Sequence, residues 1–225
     1  MFAYVLPYGK LRSEWGKVCR GRCLAVARIG SDESTGAHTV VDLDSSKRGT
    51  SVVLNTGRMR LRPISSGDVD ALHALWTDPD VRRYLWDDRI IPRETVEDFV
   101  AQSLATFESD GFGFFALELQ DRHGELIGFC GHRRAEDAEG QIELLYGIHP
   151  THWGEGLVAE AANEVLRFGF ESCDFDRVIA ATDTPNQQSV RVLQKLGMTF
   201  DCRREFHGLD TVFYSMTRSE FLESD

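Results

Sequence analysis

The chain has 225 residues, 42% of them hydrophobic and 27% charged, and a net charge of −11. That length suits one domain with an extension and a full buried core, and the composition is that of a soluble globular protein. The acidic balance argues against a general nucleic-acid binder, which needs basic surface to neutralise phosphates. It is compatible with a cationic substrate steered by the protein's field, although solubility alone explains it equally well.

Residues 1 to 50 differ from the rest, carrying +3 against −14 for the remainder. They show no sustained hydrophobic period, and Gly30 to Gly36 and Asp44 to Thr50 are loop-like, so the segment reads as mostly disordered. A short strand near Val40 is optional, and an over-extended start is an alternative explanation of the segment. The opening MFAYVLPYGK lacks a basic stretch followed by a long apolar core, and no apolar run approaches a membrane span, so a cytoplasmic protein is expected. Five scattered cysteines, Cys19, Cys23, Cys130, Cys173 and Cys202, fit reduced thiols better than a disulfide framework. Cys19 and Cys23 resemble half a zinc site without a second half, so no metal is expected.

The expected domain runs from 51 to 225. Val52 to Ile64 alternates Met59 and Leu61 with Arg58, Arg60 and Arg62, as a strand with one wet face does. Ser65 or Ser66 can cap a helix with Val69, Leu72, Leu75 and Trp76 on one face, which Asp78-Pro79-Asp80 ends. Pro92 opens a second helix with the stripe Val96, Phe99, Val100, Ser103, Leu104 and Phe107, broken at Gly111. Gly113 to Leu119 and Glu125 to Arg133 are two strands joined by the hairpin signal Asp121 to Gly124, and a polar turn follows from Ala135 to Gly140.

Ile142 to Ile148 is then a buried strand, leading through Gly154-Glu155-Gly156 into an amphipathic helix. The helix buries Leu157/Val158, Ala161/Ala162 and Val165/Leu166 and turns Glu160, Asn163, Glu164 and Arg167 outward. Glycines feeding a helix N-terminus form an anion site, because the first turn has unpaired N–H groups and the positive end of the dipole. A phosphate-bearing ligand is therefore expected. A strand (Arg177 to Asp183), a helix (Gln187 to Leu196, stopped at Gly197) and two strands (Thr199 to Glu205 and Asp210 to Thr217) close the chain. The strands before the glycine loop should pair antiparallel, and the two flanking its helix should be parallel.

Gly154 to Ala159 also fits the G-x-G-x-x-A dinucleotide fingerprint, with Asp174 or Asp176 about twenty residues on. Two features oppose that reading: five residues (His149 to Trp153) separate strand from glycine, and the preceding strands lack helical crossovers. A nucleotide-triphosphate loop is excluded because no Gly-Lys-Ser/Thr follows.

Ile148-x-Pro150 with Trp153-Gly-Glu-Gly-Leu-Val-Ala-Glu-Ala161 resembles the acetyl-coenzyme A loop of the GNAT N-acetyltransferases, in their RimJ/RimL-like branch. Asp78 to Leu85, Leu126 to Gly131, Asn186 to Gly197 and Tyr214 to Arg218 match in order, so the resemblance covers about residues 55 to 222. It implies an α+β, three-layer fold: a mixed, mostly antiparallel sheet splayed at one parallel strand pair, with helices on both faces and the cofactor's pantetheine arm in the gap. It also implies transfer of an acetyl group from acetyl-CoA to a primary amine, on a protein N-terminus or a small molecule, by direct attack. The partners expected are acetyl-CoA and the amine acceptor, with no nucleic acid or membrane, in a monomer or homodimer.

By the same resemblance, backbone N–H groups near Ile148 hold the thioester carbonyl, and those of Gly154, Glu155, Gly156, Leu157 and Val158 bind the pyrophosphate. Glu155 departs from the basic or neutral residue usual there, and its side chain should point away from the phosphates. His149 and His152 border the loop and are read as solvent-facing and structural rather than catalytic, and Trp153 as packing, with His149 and Trp153 counted among the residues that line the cofactor. Asn186 is a good cap for the next helix, and the family reading has it bind cofactor while Ser189 contacts or protonates the sulfur. Gly197 to Phe200 offers no tyrosine as general acid, so Ser189 or water must serve. Glu143, an acid in an otherwise apolar strand, is the candidate base or amine-binding group; a glutamate paired with an arginine or facing solvent is the competing reading. A coenzyme A-binding module without turnover is the alternative function, and a dinucleotide-binding protein a more distant one.

Overall fold

A computed structural model describes residues 52–122, 124–135 and 140–224. The segment 1–50, with the strand near Val40 and the Cys19/Cys23 pair, lies outside these, as does most of the turn before Gly140. Among the described residues are eight strands and six α-helices: β1 (Leu54–Asn55), β2 (Met59–Pro63), α1 (Val69–Thr77), α2 (Pro79–Leu85), α3 (Arg93–Asp110), β3 (Phe114–Leu119), β4 (Leu126–Arg134), β5 (Ile142–Ile148), α4 (Leu157–Ser172), β6 (Arg177–Asp183), α5 (Gln187–Lys195), β7 (Thr199–Phe206), β8 (Leu209–Thr217) and α6 (Arg218–Ser224). They form one sheet in the order β1-β2-β3-β4-β5-β6-β8-β7. Every neighbouring pair is antiparallel except β5–β6, which is parallel. The fold is thus the α+β mixed sheet expected, with its parallel pair on either side of α4.

The sheet is buried on both faces. One face carries Leu144, Tyr146 and Ile148 of β5 against Leu157, Val165 and Leu166 of α4 and Leu193 of α5. The other carries Leu145, Phe114 and Phe129 against α1, α2 and α3. Trp76 fills the centre of that second layer, 4.8 Å from the Phe99 ring and 5.3 Å from Phe129. With every residue of β5 buried, the strand sits at the middle of the three layers.

Several features differ from the sequence expectation or add to it. Val52 to Ile64 is two strands, not one, because Thr56 turns the chain: its N–H donates to the Met59 carbonyl at 2.9 Å and its hydroxyl accepts from the Met59 N–H at 3.0 Å. The face expected to be wet is so at Arg58, which is exposed, but becomes covered toward Arg62. Arg62 donates to Glu118 at 2.7 Å and to both oxygens of Asp68 at 2.7 Å. Burial alone would raise those two carboxyls, but the guanidinium's hydrogen bonds hold both below the ordinary range. Asp78-Pro79-Asp80 ends α1 and also starts α2: Pro79 takes the first helical position and Asp78 accepts from the Asp80 N–H at 2.9 Å. Finally β8 returns between β6 and β7, and α6 follows it.

His132 of β4 lies against the Phe175 ring, 1% exposed, and neither ring nitrogen has a hydrogen-bond partner among the described residues. Burial pushes its imidazole down to about 3. An unfolded-chain histidine titrates at about 6.5, so between there and about 3 the unfolded state binds a proton that the folded state does not. Stability therefore falls as pH drops through that window, by about 1.4 kcal/mol per unit. Urea unfolding at pH 7 and pH 5 should show the wild type losing about 2 kcal/mol more than His132→Leu; parallel losses in the two proteins would refute it.

Candidate active site

β5 and β6 pair only at Ile142↔Val178 and Glu143↔Ile179. Beyond that point the strands separate, while β5 stays laddered to β4 as far as Gly128↔Ile148 and β6 to β8 as far as Asp183↔Thr211. Along an antiparallel strand successive N–H groups point to alternate sides. The His149 N–H donates to Ile127 of the β4 side at 2.8 Å, so those of Ile148 and Tyr146 point into the gap. The Ile148 carbonyl accepts from the Trp153 indole N–H at 3.1 Å.

The connection to α4 runs along the mouth of this gap. His149 is exposed, its ring 2.8 Å from the Thr151 hydroxyl, and half-buried Trp153 packs against both core layers. Gly154 and Gly156 have φ of 81° and 78°, a backbone that a side chain disfavours, and Gly156 caps α4. Leu157 and Val158 bury their side chains, so what the first turn offers outward is backbone. Glu155 gives its carbonyl to Arg58 Nη1 at 2.9 Å, and its half-exposed carboxylate lies 3.6 Å from His152 Nδ1. A Cβ built on Gly156 would stand 3.5 Å from Lys195 Nζ and 3.8 Å from Arg58 Nη2. Two cations therefore flank the helix N-terminus. Sequence reasoning missed both, since positions 58 and 195 meet only through the topology.

Across the gap, Asn186 caps α5 by accepting from the Ser189 N–H at 3.3 Å, and both side chains are buried. The Ser189 hydroxyl is 2.9 Å from that of Tyr146. Burial pushes the Tyr146 hydroxyl above its ordinary value, an effect the Ser189 contact partly offsets. No tyrosine follows α5, as read from the sequence, yet β5 supplies one to the same serine. Glu143 lies at the foot of the gap, 4% exposed, with Oε2 accepting from Arg133 Nε at 2.8 Å. It is five residues below Ile148, roughly 16 Å along an extended strand. The loop residues, Asn186 and Ser189 thus gather at the mouth, and Glu143 stands apart from them. At the mouth, too, is Asp183, which sequence reasoning passed over. Burial, then the nearby Asp87 and Asp210 carboxylates, push its carboxyl up to about 6.

A sheet opened at one parallel pair, with a glycine turn and a helix N-terminus at the opening, is the acyl-coenzyme A architecture of an acetyltransferase. The chain belongs to the GNAT family: the model described as an acetyltransferase (GNAT) domain matches residues 58–199. It is an N-acetyltransferase, moving acetyl from acetyl-CoA to an amine. It is 28% identical to the uncharacterized N-acetyltransferase p20 of Bacillus licheniformis over 178 residues, 75% of this chain and 97% of that protein. Its fold is similar to the spermidine N-acetyltransferase from Vibrio cholerae in complex with CoA and spermine (TM-score 0.62, 18% identity, 73% of this chain and 98% of that one). It is similar as well to the ribosomal-protein-S5-alanine acetyltransferase from Vibrio fischeri (TM-score 0.64, 15% identity, 76% and 98%). The site fits coenzyme A, since paired cations at a glycine turn suit a diphosphate and an opened ladder suits an amide-bearing arm. Among the described residues no group is arranged to hold a metal, and no helix is long and apolar enough to cross a membrane.

The left-handed backbone at Gly156 gives a direct check of the loop. Gly156→Ala should lower stability by about 1–2 kcal/mol in urea unfolding, the cost of a Cβ in that region, whereas no loss would mean the turn is not held in this form.

Proposed function

We propose that this enzyme, of the RimJ/RimL-like branch, acetylates a primary amine by direct attack on acetyl-CoA lying between β5 and β6. The observation that carries the reading is the loss of the β5–β6 ladder after two residue pairs, which opens a gap that runs up β5 to the connection bearing the glycine turn. In this reading the N–H groups of Gly154 to Val158 take the diphosphate, with Arg58 and Lys195 adding charge, and His149 and Trp153 border it. The Ile148 N–H receives the thioester oxygen as negative charge develops on it. Asn186 supports the pantetheine arm, and Ser189, with Tyr146 behind it, returns a proton to the departing sulfur. Glu143 acts on the acceptor amine at a distance, through ordered water, from its pair with Arg133.

The acceptor is a protein N-terminus or a small-molecule amine. Both kinds occur in the names of proteins with this fold: a ribosomal protein's alanine in one, spermidine in the other. A cytoplasmic monomer or homodimer working without nucleic acid or membrane completes the proposal. Neither alternative is favoured. The binding-module reading rested on Glu155 and on a missing tyrosine, and Tyr146 now stands beside Ser189. A dinucleotide fold needs a run of parallel strands joined by successive helical crossovers, and among the described residues this sheet has a single adjoining parallel pair, β5–β6.

Thiol release from acetyl-CoA, followed over a panel of amines, tests the reading: release dependent on an amine is expected, and tight binding without release on any amine would leave only the module. Glu143→Gln should lower turnover at least tenfold with coenzyme A affinity unchanged; an unaltered rate removes Glu143 from the chemistry. Gly156→Val should abolish coenzyme A binding in calorimetry, because a β-branched side chain bars phosphate from the backbone, and retained binding would refute the loop's role.

A further inference from the structure

Asp183 is the last residue of β6, and it is 8% exposed. Its Oδ1 is fully buried and has no hydrogen-bond partner among the described residues. A buried carboxylate oxygen without a partner is expensive, and native structures keep one where a ligand completes it. Its register locates it. The paired foot of the gap sets Ile142 against Val178 and Glu143 against Ile179. Carried upward, the same offset brings Asp183 level with Gly147, one residue from Ile148. Along β6 it shares the sheet face of Ile179 and Ala181, and along β5 that face is the one of Glu143 and Leu145. This is the side of α1 to α3, opposite α4 and its glycine turn.

Two neighbouring carboxylates act on Asp183 in the same direction. The turn after α2 brings Asp87 close enough to raise the Asp183 carboxyl, and the start of β8 brings Asp210. Of the nearby cations, Arg203 is committed to Asp210, donating at 2.8 and 2.5 Å. Arg204 lies over the Phe206 and Phe213 rings, 4.8 and 4.5 Å from their centres, and His207 stacks on Phe206. A cation placed at Asp183 would relieve both the repulsion and the unpaired oxygen.

We propose that Asp183 is the receptor for the acceptor's ammonium group and the base that takes its proton, and that the mouth it guards selects amines carrying no nearby anion. The step balances. The ammonium gives one proton to the Asp183 carboxylate, leaving a neutral amine and a carboxylic acid. The amine nitrogen forms a bond to the thioester carbonyl carbon, and the carbon–sulfur bond breaks with its electron pair on sulfur. The nitrogen's second proton passes to that sulfur, giving amide and thiol, and the acid returns its proton to solvent. Relative to Glu143, Asp183 stands four residues higher along the gap, roughly 13 Å nearer the Ile148 level. This inference rests on the acetyl-transfer reading above, with the thioester at Ile148.

The test uses the full chain, acetyl-CoA, and a matched pair of acceptors, 1,4-diaminobutane and 4-aminobutanoate, with n-butylamine, which carries no charge at its far end, as the reference. The wild type should favour 1,4-diaminobutane over 4-aminobutanoate at least tenfold in kcat/KM. Asp183→Asn should lower kcat/KM for 1,4-diaminobutane at least a hundredfold, with coenzyme A affinity within twofold of wild type, and should lose the acidic limb of the pH profile. Asp183→Glu should restore part of the rate and that limb. If the wild type turns over and Asp183→Asn stays within threefold, or 4-aminobutanoate is used equally well, the assignment is overturned while acetyl transfer stands. If coenzyme A binds and none of the three amines releases thiol, this inference falls together with the choice of a small amine as acceptor.

Discussion

A β-ladder that stops after two pairs is the constraint from which the rest of this molecule follows. Backbone N–H and C=O groups inside a protein must be paired, and each one left unmet costs about 1–3 kcal/mol. Separating β5 from β6 above Glu143 exposes a row of such groups on both strands. The opening persists because each strand is gripped along its full length from its outer side, β5 by β4 and β6 by β8. Neither strand can shift to close the gap without losing a longer ladder than it would gain. The opening is thus a fixed feature of the sheet, and its polar edges are waiting for a polar, extended partner.

The charges around the opening divide by face and by end. Arg58 and Lys195 stand at the glycine turn, where a helix dipole already favours an anion. Asp183 stands across the sheet plane, and the Asp87 and Asp210 carboxylates act on it. The net charge of −11 therefore hides a local separation, with Lys195 and the Glu160-paired Arg58 gathered at the glycine turn and carboxylates around Asp183. An enzyme that holds an anionic co-substrate and a cationic acceptor in one cleft would gain from such separation, because each field repels the wrong partner.

Most of the fold was legible wherever one residue's neighbours along the chain decide its state. The limits of β5 and β6 match the residues read from the sequence, because each is a short apolar run bounded by turn residues. The α4 stripe was equally plain. What was not legible depended on contacts across the chain. Asp78-Pro79 carries a stop and a start signal at once, and only packing of Val81 and Leu85 into the Trp76 layer selects the second helix. Arg62 looked solvent-facing because Glu118 and Asp68 are 56 and 6 residues away. At the site, the glycine turn and Asn186 announced themselves by local chemistry. Tyr146 did not, since a tyrosine in a buried strand usually means core. Asp183 was invisible for the same reason: a strand-ending aspartate before a proline turn is ordinary until its unpaired oxygen is known.

Glu155 shows how a departure in one place is absorbed in another. A carboxylate inside an anion-binding turn should oppose a diphosphate at close range, by about 1 kcal/mol in water at 4 Å and more where solvent is excluded. Its backbone, however, is tied to Arg58, which donates to the Glu155 carbonyl while its other edge pairs with Glu160 of α4. That guanidinium fixes the turn's conformation and sets a positive charge beside Gly156, with Lys195 arriving from α5 on the same spot. His152, 3.6 Å from the Glu155 carboxylate, gives the side chain a neighbour other than the ligand. The cation that the turn lacks in its own sequence is in this way supplied from two distant segments, and an anion-binding role is compatible with the acid because the proposed grip on phosphate uses main-chain N–H groups.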